Sequence, residues 1–199
     1  MKTNALVQCY SIGLPGSNHK KPDYESVCGH PLDNHLITFY LTMPRFILAE
    51  FNTHRCLSRS AESSRAISVE RRIKMVEEEP FIPYAFGKNC KGMSAAEGLS
   101  EEDQAIARTY WLTGIDEAII TARSLLKQGV HKQQANRVLE PYCYVNVIAT
   151  GTLAGWYSFL LLRLVPTVQP EMYILAGRIA QEIIKWQDLN LFQLLRKEE

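Results

Sequence analysis

At 199 residues the chain has the length of one ordinary domain, and no repeat, low-complexity tract or linker divides it, so a single domain over residues 1–199 is expected. Hydrophobic residues make up 46% and charged residues 22%, the composition of a soluble globular protein with a substantial core. The formal net charge of +1 lacks the basic excess of a protein that coats nucleic acid, which excludes extended nucleic-acid contact but leaves room for a mononucleotide.

Residues 4–10 (Asn-Ala-Leu-Val-Gln-Cys-Tyr) read as a first strand, and the polar, Gly- and Pro-containing stretch 13–31 as loop. His35 to Met43 is dense in β-branched and aromatic residues and reads as a second strand. Pro44 ends it and suits the first turn of a helix, where its missing N–H costs nothing, so 45–53 is expected to be a short helix. The Ser- and Arg-rich stretch 56–67 reads as irregular, and 69–78 as a charged amphipathic helix. Five Pro and Gly residues between 79 and 100 mark an irregular segment.

Ser100 followed by Glu101, Glu102 and Asp103 is a helix N-terminus, a hydroxyl cap with acidic residues in the first turn. Apolar residues then recur at helical spacing from Ile106 to Leu126, and Gly129 is the stop. Further elements are a short helix over 131–140, a strand over 142–150, and helices over 156–164 and 171–186. The expected fold class is α+β: one central antiparallel or mixed sheet flanked by helices.

Five cysteines (Cys9, Cys28, Cys56, Cys90, Cys143), with no Cys-x-x-Cys pair, argue against a disulfide framework or a zinc ribbon and for a reducing cytoplasm. The Met-Lys-Thr-Asn start has no long apolar run, so no secretory signal is expected, and the longest apolar stretch, 156–162, is too short to span a bilayer. His30, Asp33 and His35 can be drawn as metal ligands, but no ligand-spaced pair completes the set, and no metal is expected.

Chemistry concentrates in Thr53-His54-Arg55-Cys56-Leu57-Ser58-Arg59-Ser60-Ala61-Glu62-Ser63-Ser64-Arg65. Three arginines, a histidine and four serines share this segment between two apolar elements. Guanidinium groups recognise phosphate bidentately, and hydroxyls and free backbone N–H groups add to that. Composition alone suits a solvated loop as well as an anion site. Cys56, directly after Arg55, is a conceivable thiolate nucleophile, since a neighbouring cation lowers a thiol pKa.

The spacing resembles the signature of flavin-dependent thymidylate synthases: Arg-His-Arg, two residues, Ser, one residue, Asn, and further on Ser-x-Arg. This chain keeps His54, Arg55, Ser58, Ser63 and Arg65 at those offsets, with Thr53 for the first Arg and Ser60 for the Asn. The ending Ser63–Ile67 is similar to a short subgroup associated with phage-type genomes. Downstream, Gln134–Pro141 resembles the family segment whose Arg holds the nucleotide. Trp156-Tyr157-Ser158-Phe159 with Leu162-Arg163 resembles a Trp-x-Asn-Phe…Leu-Arg helix, and Gln169–Met172 resembles the Ala-Gln-x-Glu-Ile after it. The similarity runs in order from about residue 30 to the last helix.

The resemblance implies a substrate site for a pyrimidine deoxynucleotide monophosphate. Ser63, Ser64, Arg65 and the distant Arg137 would hold phosphate and sugar, and Arg163 would act as the catalytic cation against the pyrimidine carbonyl, steadying charge as C5 becomes nucleophilic. Glu50 stands in place of a family Gln near the nucleotide. As an acceptor-only carboxylate it suits an amino group better than a carbonyl, which raises cytosine as a base. Thr53, His54, Arg55, Ser58 and Ser158 match positions that line FAD. Arg137 as a plain surface residue, Arg163 snorkelling from a helix end and His54 as a structural histidine stand beside those roles.

The family further implies NADPH and methylenetetrahydrofolate as co-substrates, and a one-carbon transfer to C5 that turns dUMP into dTMP. It also implies a homotetramer whose sites combine residues of several subunits, with helix 101–128 a candidate interface, in the cytoplasm or in the cytoplasm of a host cell. Departures at Thr53, Ser60, Ala61 and Ser158 leave two other outcomes open: hydroxymethylation of dUMP or dCMP, or a nucleotide-binding relative that has lost flavin.

Overall fold

The computed structural model describes residues 7–12, 35–92, 95 and 97–195, with side chains described as far as residue 187 from position 35. The loop expected over 13–31, with His30 and Asp33, lies outside the described residues. Among the described residues, four strands form one wholly antiparallel sheet in the order β1-β2-β4-β3: β1 (Val7–Ile12), β2 (Leu36–Pro44), β3 (Ser58–Ala61) and β4 (Tyr144–Thr152). With the helices described below, this is the expected α+β class.

Strand alternation sorts the side chains. Ile37, Phe39, Leu41 and Met43 of β2 and Val145, Val147 and Ala149 of β4 are buried on one face. The other face of the same strands carries the hydroxyl pair Thr38–Thr150 (2.8 Å) and the bond from Thr42 Oγ1 to Asn146 Oδ1 (2.8 Å). The apolar face is covered by α5 (Leu153–Arg163) and α6 (Pro170–Leu195) through Trp156, Phe159, Met172, Leu175, Ile179 and Ile183. Trp156 keeps its indole N–H satisfied by donating to Ile37 O at 3.1 Å, so full burial costs it no hydrogen bond.

A second core cluster packs α2 (Val69–Glu78) on α3 (Glu101–Lys127) and on the 3-10 segment Asn136–Tyr142, through Ile73, Val76, Ile115, Ile119, Ala122 and Leu139. Phe81 joins the two cores, with ring centroids 4.8 Å from Phe46 on the first and 6.3 Å from Trp111 on the second. The segment after α2 is irregular, as expected, yet anchored. Gln104 holds both backbone groups of Phe86 (2.9 and 2.7 Å), and the buried carboxylate of Glu171 accepts from Tyr84 N at 2.9 Å.

Helix ends follow the expected chemistry. The Ser100 side chain accepts from Asp103 N, and Gly129 takes φ +73°, a left-handed value that a side chain disfavours, just past α3. Three elements differ from expectation. The short helix expected over 45–53 is a 3-10 turn, Arg45–Ile47, followed by the four-residue α1 (Leu48–Phe51). Ser58–Ala61 is an edge strand rather than irregular chain, because pairing with β4 uses backbone groups and needs no apolar side chains. The helix expected over 131–140 is one α-turn, α4 (Lys132–Ala135), continued as 3-10 helix over Asn136–Tyr142, in which Pro141 has no N–H to give to an α-helical bond. No helix among the described residues is long and apolar enough to cross a membrane.

Candidate functional site

Helix α5 starts at Thr152, whose hydroxyl accepts from Gly155 N at 3.0 Å, and ends at Arg163, where the carboxyl end of the helix favours a cation. The short helix α1 (Leu48–Phe51) carries Glu50, and the turn after it carries His54. Phe51 and Phe159 meet edge-on at 5.6 Å and hold these elements together beneath the polar groups. Arg163 is thereby placed between Glu50 and His54. Its Nε donates to His54 Nε2 at 2.7 Å, and its NH1 pairs with Glu50 Oε1.

His54 is buried, with its ring edge-on to Phe159 at 4.8 Å. Burial first, then the cations Arg163 and Arg59, push its pKa down to about 4. The imidazole is therefore neutral near pH 7, with Nε2 as acceptor and the proton on Nδ1. Two donor groups of Arg163 are thus committed, while the remaining guanidinium hydrogens and Glu50 Oε2 have no partner among the described residues. A donor and an acceptor therefore stand side by side at the end of α5.

The rest of the signature divides into inward and outward groups. Thr53 turns back, its hydroxyl donating to Glu50 O at 2.7 Å, and Ser158 is exposed but donates to Ala154 O at 3.1 Å. Arg55 and Ser58 are exposed, with no side-chain partner among the described residues. Arg59 bonds three loop carbonyls, those of His54, Leu57 (2.9 Å) and Asn52 (2.7 Å), and so shapes the loop. Cys56 is exposed, its thiol directed to Gly155 O at 3.4 Å. A phosphate-bearing cofactor such as FAD fits this donor set through Arg55 and Ser58, whereas Thr53 and His54 are already engaged within the chain.

Ser63 and Arg65 are exposed and Ser64 is buried. No hydrogen bond or ion pair joins them to Arg163. Arg137 is exposed and pairs with Glu140 (3.0 Å), which also pairs with Arg45 Nε (3.1 Å), and all three line an open cleft of about 430 Å³. A second cavity of about 230 Å³ lies between Glu62, Arg72, Cys143 and Asn146. Arg72 is buried, 3.6 Å from Glu62 Oε1, and its NH2 has no hydrogen-bond partner. Burial pushes the Cys143 thiol pKa up, which makes it a poor nucleophile. No group of three or more metal-ligating side chains occurs among the described residues.

Sequence reasoning singled out Glu50, His54 and Arg163, which the fold brings into contact. It missed Arg45, Asn136 and Glu140, which hold the loops in place, and took Arg59 for a phosphate ligand where it shapes its own loop. Asn136 and Glu140 flank Arg137 in the Gln134–Pro141 segment, so their neighbourhood was visible in sequence, though their contacts were not.

Residues 24–187 match the family described as thymidylate synthase complementing protein. Flavin-dependent thymidylate synthases from two strains of Thermus thermophilus are 30% identical over 156 residues, covering 78% of this chain and 54% of theirs. The chain thus spans about half the length of the curated relatives it matches. Among solved structures, the UMP/dUMP methylase PolB from Streptomyces cacaoi bound with 5-Br dUMP has a TM-score of 0.65 at 23% identity, covering 79% of this chain and 70% of that one. PolB bound with 5-Br UMP gives 0.65 at 22%, covering 79% and 73%.

Proposed function

The chain belongs to the thymidylate synthase complementing protein family, and from that premise we propose that it modifies C5 of a pyrimidine deoxynucleotide monophosphate. The reaction is the flavin-dependent transfer of a one-carbon unit from methylenetetrahydrofolate, with dUMP as substrate and dTMP as product. The observation that carries this reading is Arg163, held at a helix end by Glu50 and His54 with hydrogens to spare. A fixed guanidinium at the base stabilises negative charge as C5 becomes nucleophilic, and needs no reorganisation to do so. His54 keeps Arg163 in place without adding a second positive charge.

Arg55 and Ser58 would hold FAD, with Thr53, His54 and Ser158 beside it; when bound, FAD supplies the hydride chemistry that NADPH replenishes. Ser63, Arg65 and Arg137 take the phosphate, and buried Ser64 shapes that segment. The segment does not touch Arg163 within one chain, which supports a homotetramer whose sites are shared between subunits. Leu161 and Leu162, 71% and 61% exposed beside Arg163, and Tyr110 on α3, 74% exposed, fit apolar surface covered by further copies. A cytoplasmic location, one domain over 1–199 and a nucleotide rather than a nucleic acid as ligand belong to the same reading.

Glu50 favours a second form of the reaction. A carboxylate beside the base-reading arginine accepts from an exocyclic amine, so dCMP, and a hydroxymethyl in place of a methyl product, are the alternative outcome. The test is to incubate the yellow, flavin-loaded protein with NADPH, labelled methylenetetrahydrofolate and either dUMP or dCMP, and identify products by mass. Label at C5 of either nucleotide supports the enzyme and names the base. A colourless protein that binds dUMP, takes up no FAD and transfers no label overturns the reaction in favour of a nucleotide-binding role.

A further inference from the structure

Ser63 and Arg65 face solvent, and polar anchors on both sides set the shape of the segment that carries them. Upstream, Glu62 N donates to Asn146 O (2.8 Å), Asn146 Nδ2 donates to Glu62 Oε2 (3.1 Å), and Arg45 NH1 donates to Glu62 O (3.3 Å). Within the segment, Ala66 N donates to Ser63 O (3.0 Å) and Arg65 N to Ser63 Oγ (3.3 Å), which makes a compact curl. Downstream, one side chain closes it. Asn136, fully buried, donates through Nδ2 to Ser64 O (2.8 Å) and Ile67 O (3.0 Å).

Both amide hydrogens of Asn136 are spent on carbonyls of this one curl. A hydroxyl has a single hydrogen and an ionised carboxylate has none, so neither residue type of similar size can replace it. Asn136 also opens the 3-10 segment whose next residue is Arg137. One buried amide therefore joins the two stretches that carry Arg65 and Arg137.

We propose that Asn136 is a positioning residue for nucleotide phosphate: it fixes the curl that presents Ser63 and Arg65, and ties that curl to the segment that presents Arg137. This rests on the reading of those three residues as the phosphate grip. Asn136 touches no substrate and acts only through the carbonyls it holds.

The readout is the phosphate increment, the ratio of the dissociation constant for deoxyuridine to that for dUMP, measured by calorimetry on the full chain. In Asn136→Ser and Asn136→Asp, dUMP binding is expected to weaken about tenfold or more, as follows from unpaired buried groups, while deoxyuridine binding holds within about twofold. Using both variants keeps the test decisive if one fails to fold, and circular dichroism and gel filtration identify the folded one. A parallel loss for nucleoside and nucleotide, or no loss for either, overturns the positioning role. Arg65→Ala and Arg137→Ala separate the two layers. If they leave the increment intact, the phosphate reading fails and the role of Asn136 falls with it. If they abolish it while the Asn136 variants do not, the clamp alone is wrong.

Discussion

Replacing His54 by Gln should remove much of the protein's sensitivity to mild acid. In the native chain the His54 pKa is about 4, against 6.5 for a free histidine, because the ring is buried beside Arg163 and Arg59. A lowered histidine pKa means that, between those values, the unfolded chain binds the proton and the folded chain does not. Stability is therefore complete above about pH 6.5, drains away as the pH falls, and stops changing below about pH 4. Integrating the difference gives a loss of about 2 kcal/mol at pH 5 and about 3 kcal/mol at pH 4 from this residue. Glutamine keeps an acceptor within reach of Arg163 Nε but has no proton to take up. Urea unfolding of both proteins at equal concentration, from pH 7.5 to pH 4, should show the native chain losing that much more than His54→Gln. A stability difference that does not change with pH, or a His54 resonance titrating near 6.5, would refute the assignment of a neutral, buried imidazole.

Arg163→Met should lower turnover by about a hundredfold or more while dUMP still binds through its phosphate, as read by product mass and by calorimetry. Glu50→Gln should move the ratio of kcat/KM for dCMP over dUMP toward uracil by about tenfold, since an amide can donate to a carbonyl; an unchanged ratio means Glu50 does not reach the base. Gly151→Ala should cost about 1–3 kcal/mol in urea unfolding, because the added methyl would lie 2.6 Å from Leu57 Cδ2 in a packed core.

Periodicity and punctuation carried most of the fold. The β-branched and aromatic density of β2, the Ser100 cap and the Gly129 stop of α3 are local signals, and the structure bears each of them out. β3 was illegible because an edge strand of Ser and Arg is held by backbone pairing that side-chain patterns do not encode. The apolar stripe of α3 was legible, but not its surroundings: Ile106 and Tyr110 share the helical spacing of Ile115 and Ile119, yet they are exposed in this chain. At the site, motif spacing pointed to Glu50, His54 and Arg163 without showing that they touch. The role of Asn136 was illegible because a side chain that serves carbonyls 69 and 72 residues away leaves no periodic trace, and Arg59, counted with the phosphate-binding arginines, serves carbonyls of its own loop instead.

Three bonds that tie the elements of the site together reach far along the chain: 72 residues from Asn136 to Ser64, 84 from Asn146 to Glu62, 109 from Arg163 to His54. Residues 53–65 lack these ties until residues 136–163 have been made and docked. Loop closures of that span come late in folding. A chain halted after α3 would hold every residue of the signature and none of these long-range ties. On the proposed reading, a nucleotide held by these residues selects molecules in which those ties have closed, and its presence shifts the balance toward them.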